Sequence, residues 1–417
     1  MKNIKSFLHF ITIVWLLAII GCKSADIPKI ENPMQQLTLD VATLASDEME
    51  GRETGTEGEK KAANYVANRF KTIGLSPKGT QLYYQEFTHK QKSNPHAIEP
   101  SSIDKTIHGR NVIGYIDNNA ASTVIIGAHF DHLGYGSEGS LYTGDPAIHN
   151  GADDNASGVA AMLFLAEALK KSKYNANNYL FIGFSGEEKG LWGSNYFMDH
   201  PTIDTAQINY MINMDMVGRL DNERRLAIYG VGTSPVWKEE IFDIKSPKFQ
   251  IKTTESGVGP SDHTSFYLED IPVLHFFTGQ HSDYHRPSDD VELINFSGIN
   301  DVATFIYKLI GELNDEGKIA FTKTKDESTQ APDFKVTLGV VPDYLFDGIG
   351  MRIDGVKEDR PAFNAGLQKH DIVVKMGDLE VTDMMSYMQC LSKFQKGQTI
   401  DITVMRDGNK LVKKLTF

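Results

Sequence analysis

Continuous apolar runs mark the middle of this chain at spacings too long for hairpins. They are Thr123–Ala128 (TVIIGA), Tyr179–Phe184 (YLFIGF), Ile208–Met214 and Ile271–Phe277. Each is apolar along its length rather than at alternate positions, which predicts strands covered on both faces. Between them, Gly158–Leu169 is apolar nearly all round, as expected of a helix packed on every side, and Phe296–Leu313 predicts a closing helix. Upstream, residues 35–75 read as helical. There Glu57–Ile73 sets Ala62, Ala63, Val66, Phe70 and Ile73 at helical spacing, and Gly74 stops it. Leu75–Gly109 is polar and irregular, with one strand expected near Tyr83–Phe87. Strand and helix in alternation predict an α/β fold, with a mainly parallel central sheet covered by helices on both faces. In such sheets functional side chains gather beyond the carboxyl ends of the strands.

After the closing helix the pattern breaks. Residues 315–333 are polar, with Lys323, Lys325, Asp326, Glu327, Ser328, Thr329 and Pro332, and read as a linker. Residues 334–417 show short strand-like runs and one clear helix, Met384–Phe394, which predicts a separate small domain. A chain of 417 residues is too long for one ordinary core and suits this division, with 35–314 as the larger unit.

At the start, Lys2 and Lys5 precede Phe7–Ile20, an almost wholly apolar run that is short for a membrane span. It stops at Ile19-Ile20-Gly21-Cys22, which resembles a bacterial lipobox. The expectation is an export signal over 1–21, a lipid on Cys22 and a tether over 22–34. Such a protein is an exported bacterial lipoprotein, held at the outer membrane by its lipid alone, on the periplasmic or surface face.

The formal net charge of −13 argues against nucleic acid as a partner, because phosphate binding needs a basic surface. Two cysteines far apart, Cys22 and Cys390, supply neither a disulfide framework nor a thiolate metal site.

The chemistry sits at the ends of the apolar runs. The first exits into Gly127-Ala128-His129-Phe130-Asp131-His132 and the second into Phe184-Ser185-Gly186-Glu187-Glu188. The third ends in Asn213-Met214-Asp215, and the fourth is followed by Asp283-Tyr284-His285-Arg286-Pro287. Between the first two lies Asn150-Gly151-Ala152-Asp153-Asp154-Asn155. One acidic or imidazole residue at a strand end is ordinarily a cap or a solvated loop side chain. Five such sites in succession would crowd like charges, which is costly unless cations stand at their centre. Imidazole and carboxylate without thiolate suit catalytic zinc.

Taken in order, these motifs resemble peptidase family M28, the zinc aminopeptidases with an α/β exopeptidase fold. The likeness runs from about Leu44 to Leu313 and includes Gly51-Arg52-Glu53-Thr54-Gly55-Thr56 and Ser261-Asp262-His263-Thr264-Ser265-Phe266. The resemblance implies two zinc ions per chain, one on His129 and Asp215, the other on Glu188 and His285, with Asp153 bridging. It implies Asp131 as the carboxylate that stands behind His129 and fixes its tautomer, Glu187 as general base, and a cis peptide at Asp154. Tyr284 is expected to donate to the developing oxyanion. His132, His149, His263, His275 and His281 are read as solvated or supporting residues, with His263 the reserve ligand. Arg219 is open between a substrate carboxylate and an ion pair.

Farther on, Arg360-Pro361-Ala362-Phe363-Asn364-Ala365-Gly366-Leu367-Gln368-Lys369-His370-Asp371-Ile372 resembles the PDZ signature of bacterial proteases, with His370 where glycine is usual. The resemblance implies a small, mostly β domain, with Leu338-Gly339-Val340-Val341 as the loop that takes a peptide's C-terminal carboxylate. Cys390 reads as a buried, inert thiol. The functional expectation is an aminopeptidase acting on peptides. The alternatives are a dipeptidase or carboxypeptidase on the same scaffold, a single-zinc glutaminyl cyclase, and last a non-catalytic peptide-binding relative.

Overall fold

A computed structural model describes residues 32–91, 105–136, 139–324, 336–343, 346, 348–356 and 360–417. The expected export signal, Cys22 and most of the tether lie outside them.

One nine-stranded sheet organises the larger unit. Its strands are β1 (Ser76–Pro77), β2 (Tyr84–Gln91), β3 (Lys105–Ile116), β4 (Thr123–His129), β5 (Asn178–Phe184), β6 (Ile208–Met214), β7 (Arg225–Tyr229), β8 (Gln250–Thr254) and β9 (Val273–Phe277). They run in the order β1-β3-β5-β4-β6-β9-β7-β8, with β2 paired to β3. The centre, β5-β4-β6-β9, is parallel, as the apolar runs require. The flanks are antiparallel where β3 meets β5 and β7 meets β9.

The helices are α1 (Pro33–Leu44), α2 (Glu57–Ile73), α3 (Gly158–Lys170), α4 (Trp192–Asp199), α5 (Trp237–Asp243), α6 (His263–Tyr267) and α7 (Phe296–Glu312). Both faces of the central strands are buried. Val124, Ile126, Phe181, Ile212 and Phe276 pack with α1, α2, α3 and α7 on one side. Ile125, Leu180, Ile182, Met211 and Val273 pack with Phe197 of α4 and Phe266 of α6 on the other.

β3 is twelve residues long and begins inside the stretch, Leu75–Gly109, that the sequence pattern reads as irregular. Its second half, Val112–Ile116, is apolar and mostly buried, its first residues are largely exposed, and the buried polar Asn111 between them finds interior partners. Asn111 donates to Gln85 Oε1 and Gly193 O at 3.0 and 2.8 Å and accepts from Ser185 N at 3.2 Å.

The first part of the segment read as a linker is docked on the sheet unit. Asn209 Nδ2 donates to Gly317 O and Ile319 N to Asn209 Oδ1, at 2.8 and 2.9 Å. Thr322 N donates to Thr233 O, and Tyr267 Oη lies 2.8 Å from Thr324 Oγ1. Residues 317–324 therefore dock on the sheet unit, and the chain described next begins at 336.

The small domain is a six-stranded antiparallel sheet of β10 (Val340–Pro342), β11 (Met351–Val356), β12 (Ile372–Met376), β13 (Leu379–Glu380), β14 (Thr399–Arg406) and β15 (Asn409–Thr416), with α8 (Pro361–Asn364) and α9 (Met384–Leu391). It has its own core, including Leu338, Ile353, Val373, Met376, Ile402 and Val404. His370 holds φ at 72°. That left-handed conformation is the reason glycine is usual in the signature at this position.

Candidate metal centre

Strand register lines up the functional ends. His129 pairs with Phe184, placing it level with the exit of β5, and Gly127 pairs with Asn213, placing Asp215 level with His129. Asp153 and Asp154 come from the wide helical turn Ala152–Ser157 that leads into α3. Asn155 anchors this turn to β6, donating to Met214 O at 2.9 Å and accepting from Met216 N at 3.2 Å.

Two groups of imidazole and carboxylate meet at one aspartate. His129 Nε2 is 3.3 Å from Asp215 Oδ1 and 3.3 Å from Asp154 Oδ1. His285 Nε2 is 3.2 Å from Asp154 Oδ2 and 3.1 Å from Glu188 Oε2. The aspartate between the groups is thus Asp154, and the expected bridge, Asp153, is displaced by one residue. The reason is local. Asp153 Oδ1 accepts from Gly218 N at 2.6 Å and Ser157 Oγ at 3.0 Å, and its Oδ2 faces His281 Nε2 at 3.1 Å. Its side chain is committed to the loops behind the cleft, while the next side chain turns into it. The cis peptide is Asp154–Asn155.

His132, read as supporting, stands closer to the centre than that. Its Nδ1 is 2.6 Å from Glu188 Oε1, and with Asp154 and Glu188 it forms a second set able to hold a metal ion. His263 stacks on His275 at 4.6 Å and enters neither set. His149 lies 2.8 Å from Ser140 Oγ. Arg219 pairs with Asp283 at 3.1 Å. Asp131 supports three neighbours: its backbone carbonyl is 3.2 Å from His129 Nδ1, nearer than its carboxylate at 3.7 Å, which accepts instead from Glu187 N and Thr54 Oγ1 at 3.2 and 3.0 Å. Asp289, which no sequence motif marks, accepts the backbone N–H groups of both Asp153 and Asp154 at 3.0 to 3.1 Å.

The electrostatics match a cluster short of cations. Burial pushes the Glu187 carboxyl well above its ordinary range; His129 pulls it back, while Asp215, Glu188 and Asp262 push it further. Burial pushes Asp262 up to about 7. Burial alone would depress His129, yet Glu187 and Asp215 hold it well above the usual imidazole value. Divalent ions bound among these oxygens would relieve the crowding, and the N/O donor set fits zinc.

The groups open onto a cleft of about 570 Å³ lined by Asp154, Glu187, Glu188, Asp215 and His285 on one side. Met216, Tyr229, Phe277 and Tyr284 form an apolar wall. Tyr284 stacks on His285 with ring centres 3.8 Å apart. Among the described residues, no lysine or arginine lines this cleft.

Residues 111–310 match the model of peptidase family M28, and residues 319–415 match that of the PDZ domain. A protein described as a probable leucine aminopeptidase of Arthroderma otae is 30% identical over 216 residues, 49% of this chain and 56% of that protein. The chain therefore spans little more than half the length of that relative. Among solved structures, a zinc aminopeptidase from Bacillus subtilis superposes with a TM-score of 0.56 at 17% identity, covering 70% of this chain and 99% of that one. Porphyromonas gingivalis glutaminyl cyclase gives 0.54 at 16% identity, covering 67% and 98%. At such identity these likenesses speak to the fold, an α/β exopeptidase scaffold.

Proposed function

We infer that this chain, which carries a peptidase family M28 domain followed by a PDZ domain, is a zinc-dependent aminopeptidase with two metal ions sharing Asp154. The observation that carries the reading is the aspartate whose two oxygens face two separate imidazole–carboxylate groups. His129 and Asp215 would hold one ion, and His285 and Glu188 the other. When bound, the ions supply Lewis acidity and make a water ionise near neutral pH. Glu187 stands beside the first group, with Oε2 3.9 Å from His129 Nε2, and Asp131 holds its backbone. From there it takes the water's proton and returns it to the leaving amine. Tyr284 donates to the carbonyl oxygen as negative charge develops.

The cleft favours an amino end over a carboxyl end. Among the described residues no lysine or arginine lines it to receive a substrate carboxylate, and Arg219 is paired with Asp283 instead. The apolar wall faces the first side chain. An exported lipoprotein anchored by Cys22 and a C-terminal peptide ligand at Leu338–Val341 complete the reading, the latter supported by the place of β10 at the edge of its sheet.

The deciding experiment is a zinc count on purified protein, combined with aminoacyl amides, N-acetylated peptides and glutaminyl peptides as substrates. Two zinc ions per chain and cleavage of free-amine substrates alone are expected. One zinc with pyroglutamate formation would make it a cyclase instead.

A further inference from the structure

Beside the metal centre lies a guanidinium that the chemistry does not use. Arg52 is wholly buried. Burial lowers its pKa to about 10, so it stays a cation at neutral pH. Among the described residues, no carboxylate lies within ion-pair distance of it. It donates instead to four carbonyls: Nε to Phe130 O at 2.7 Å, Nη1 to Leu44 O and Asn150 O at 2.6 Å each, and Nη2 to Gly151 O at 3.0 Å. These belong to three segments: the end of α1, the loop after His129, and the loop before Asp153. A rigid planar fork with five donors can span them at once, whereas an ammonium is a single point.

The neighbours of Arg52 reach the remaining loops. Thr54 Oγ1 donates to Asp131 Oδ2 at 3.0 Å. Glu53 pairs with Lys189, next to Glu188, at 2.9 Å. Gly51 O accepts from Gly134 N at 2.9 Å, and Arg52 O from His132 N at 3.3 Å. A Cβ on Gly51 would sit 2.4 Å from Gly134 O, so the turn is pressed against that loop. Glu50 and Arg52 themselves hold left-handed φ values of 53° and 50°, a conformation that persists where surroundings impose it.

We propose that Gly51–Thr54 is a positioning clamp for the metal centre, with Arg52 and Thr54 as its positioning residues. The proposal rests on the two-zinc reading. The clamp ties together the loops that carry His129, Asp154 and Glu188, so that mutually repelling carboxylates face one another before metal arrives. Without it, zinc must order those loops on binding, and affinity falls.

The test is zinc affinity by chelator competition on the full chain, with thermal melting of the same samples. Arg52→Met is expected to bind zinc about 10- to 100-fold more weakly, the range seen when groups that orient metal ligands are removed. Arg52→Lys should not rescue it, because the charge returns without the fork. Thr54→Val, a small change that spares the guanidinium, should weaken zinc by about tenfold, the low end of that range. Wild-type zinc affinity in Arg52→Met, with only a lowered melting point, overturns the clamp, as does full rescue by lysine. Should Arg52→Met fail to fold, unchanged affinity in Thr54→Val overturns it alone. A wild-type chain that takes up no zinc overturns the functional reading instead, and is seen before any variant is made.

Discussion

Asp153 and Asp154 are chemically identical neighbours with opposite surroundings. Asp153 is held by Gly218, Ser157 and His281, whereas Asp154 lies between His129 and His285. Asp154→Asn should therefore leave fewer than two zinc ions per chain after dialysis, and Asp153→Asn should keep both. The reverse outcome would restore Asp153 as the bridge. Glu187 and Glu188 form a similar pair. Glu188 faces His132 and His285 at 2.6 and 3.1 Å, while Glu187 approaches His129 only to 3.9 Å. Glu187→Gln should lower kcat by about 10²- to 10⁴-fold with zinc content unchanged; loss of a zinc would mean that the two glutamates exchange roles. Cys390 is the counterexample of a reactive type without reactivity. It is 5% exposed, and burial pushes its thiol up, so less thiolate is present at any pH. Iodoacetamide at pH 8 should leave it unmodified in the native chain and label it in urea.

At the scale of elements, legibility followed burial. The parallel strands β4, β5, β6 and β9 are covered on both faces, so each is a continuous apolar run that reads plainly from sequence. β2 falls where a strand was expected, near Tyr83–Phe87, whereas the start of β3 escaped because it is polar and part-exposed, with buried Asn111 satisfied by Gln85 and Gly193. β7 and β8 lie at the far end of the sheet and are only partly buried, β8 along its whole length, so no continuous apolar run marks them, whereas β9, equally short, is buried throughout. In the small domain, fully buried Asp371 receives two N–H groups of Arg406 at 2.6 and 2.7 Å and the Gln368 N–H at 2.9 Å. Arg406 is 23% exposed and also donates to Gly366 O at 2.9 Å, so losing Asp371 removes charge-assisted hydrogen bonds and strands the Gln368 N–H without burying an unpaired cation. Asp371→Ala should destabilise this domain by about 2 kcal/mol, seen as faster hydrogen exchange in β12 and β14 while β4 and β6 are unaffected. Equal acceleration in both sheets would mean that the two cores unfold together.

For the whole molecule, the docking of 317–324 decides where the chain can be cut. A chain ending at Thr324 keeps Ile319 and Phe321 against the sheet unit, and with them the bonds of Thr322 and Thr324. It should retain most turnover of small aminoacyl amides and lose affinity for longer peptides. A chain ending at Glu316 should melt lower, because it exposes that seam. Collapse of small-substrate turnover in the Thr324 version, with zinc intact, would place the PDZ domain within the active site. Cys22→Ser should move the protein from the membrane to the soluble fraction; continued membrane partitioning would refute the lipid anchor.

Apolar runs ending in histidine or carboxylate, read in order along the chain, determined the α/β sheet, the site at its carboxyl edge and the zinc-type donor set. These are consequences of one-dimensional pattern, since a strand buried on both faces must be apolar throughout. Which of two adjacent aspartates faces the cleft, how close His132 stands to Glu188, and where Arg52 sends its donors were decided only in three dimensions. Each depends on at least one partner far along the chain, 56 positions away for His132 and Glu188, 99 for Arg52 and Gly151 and 128 for Asp153 and His281, whose identity no local spacing records.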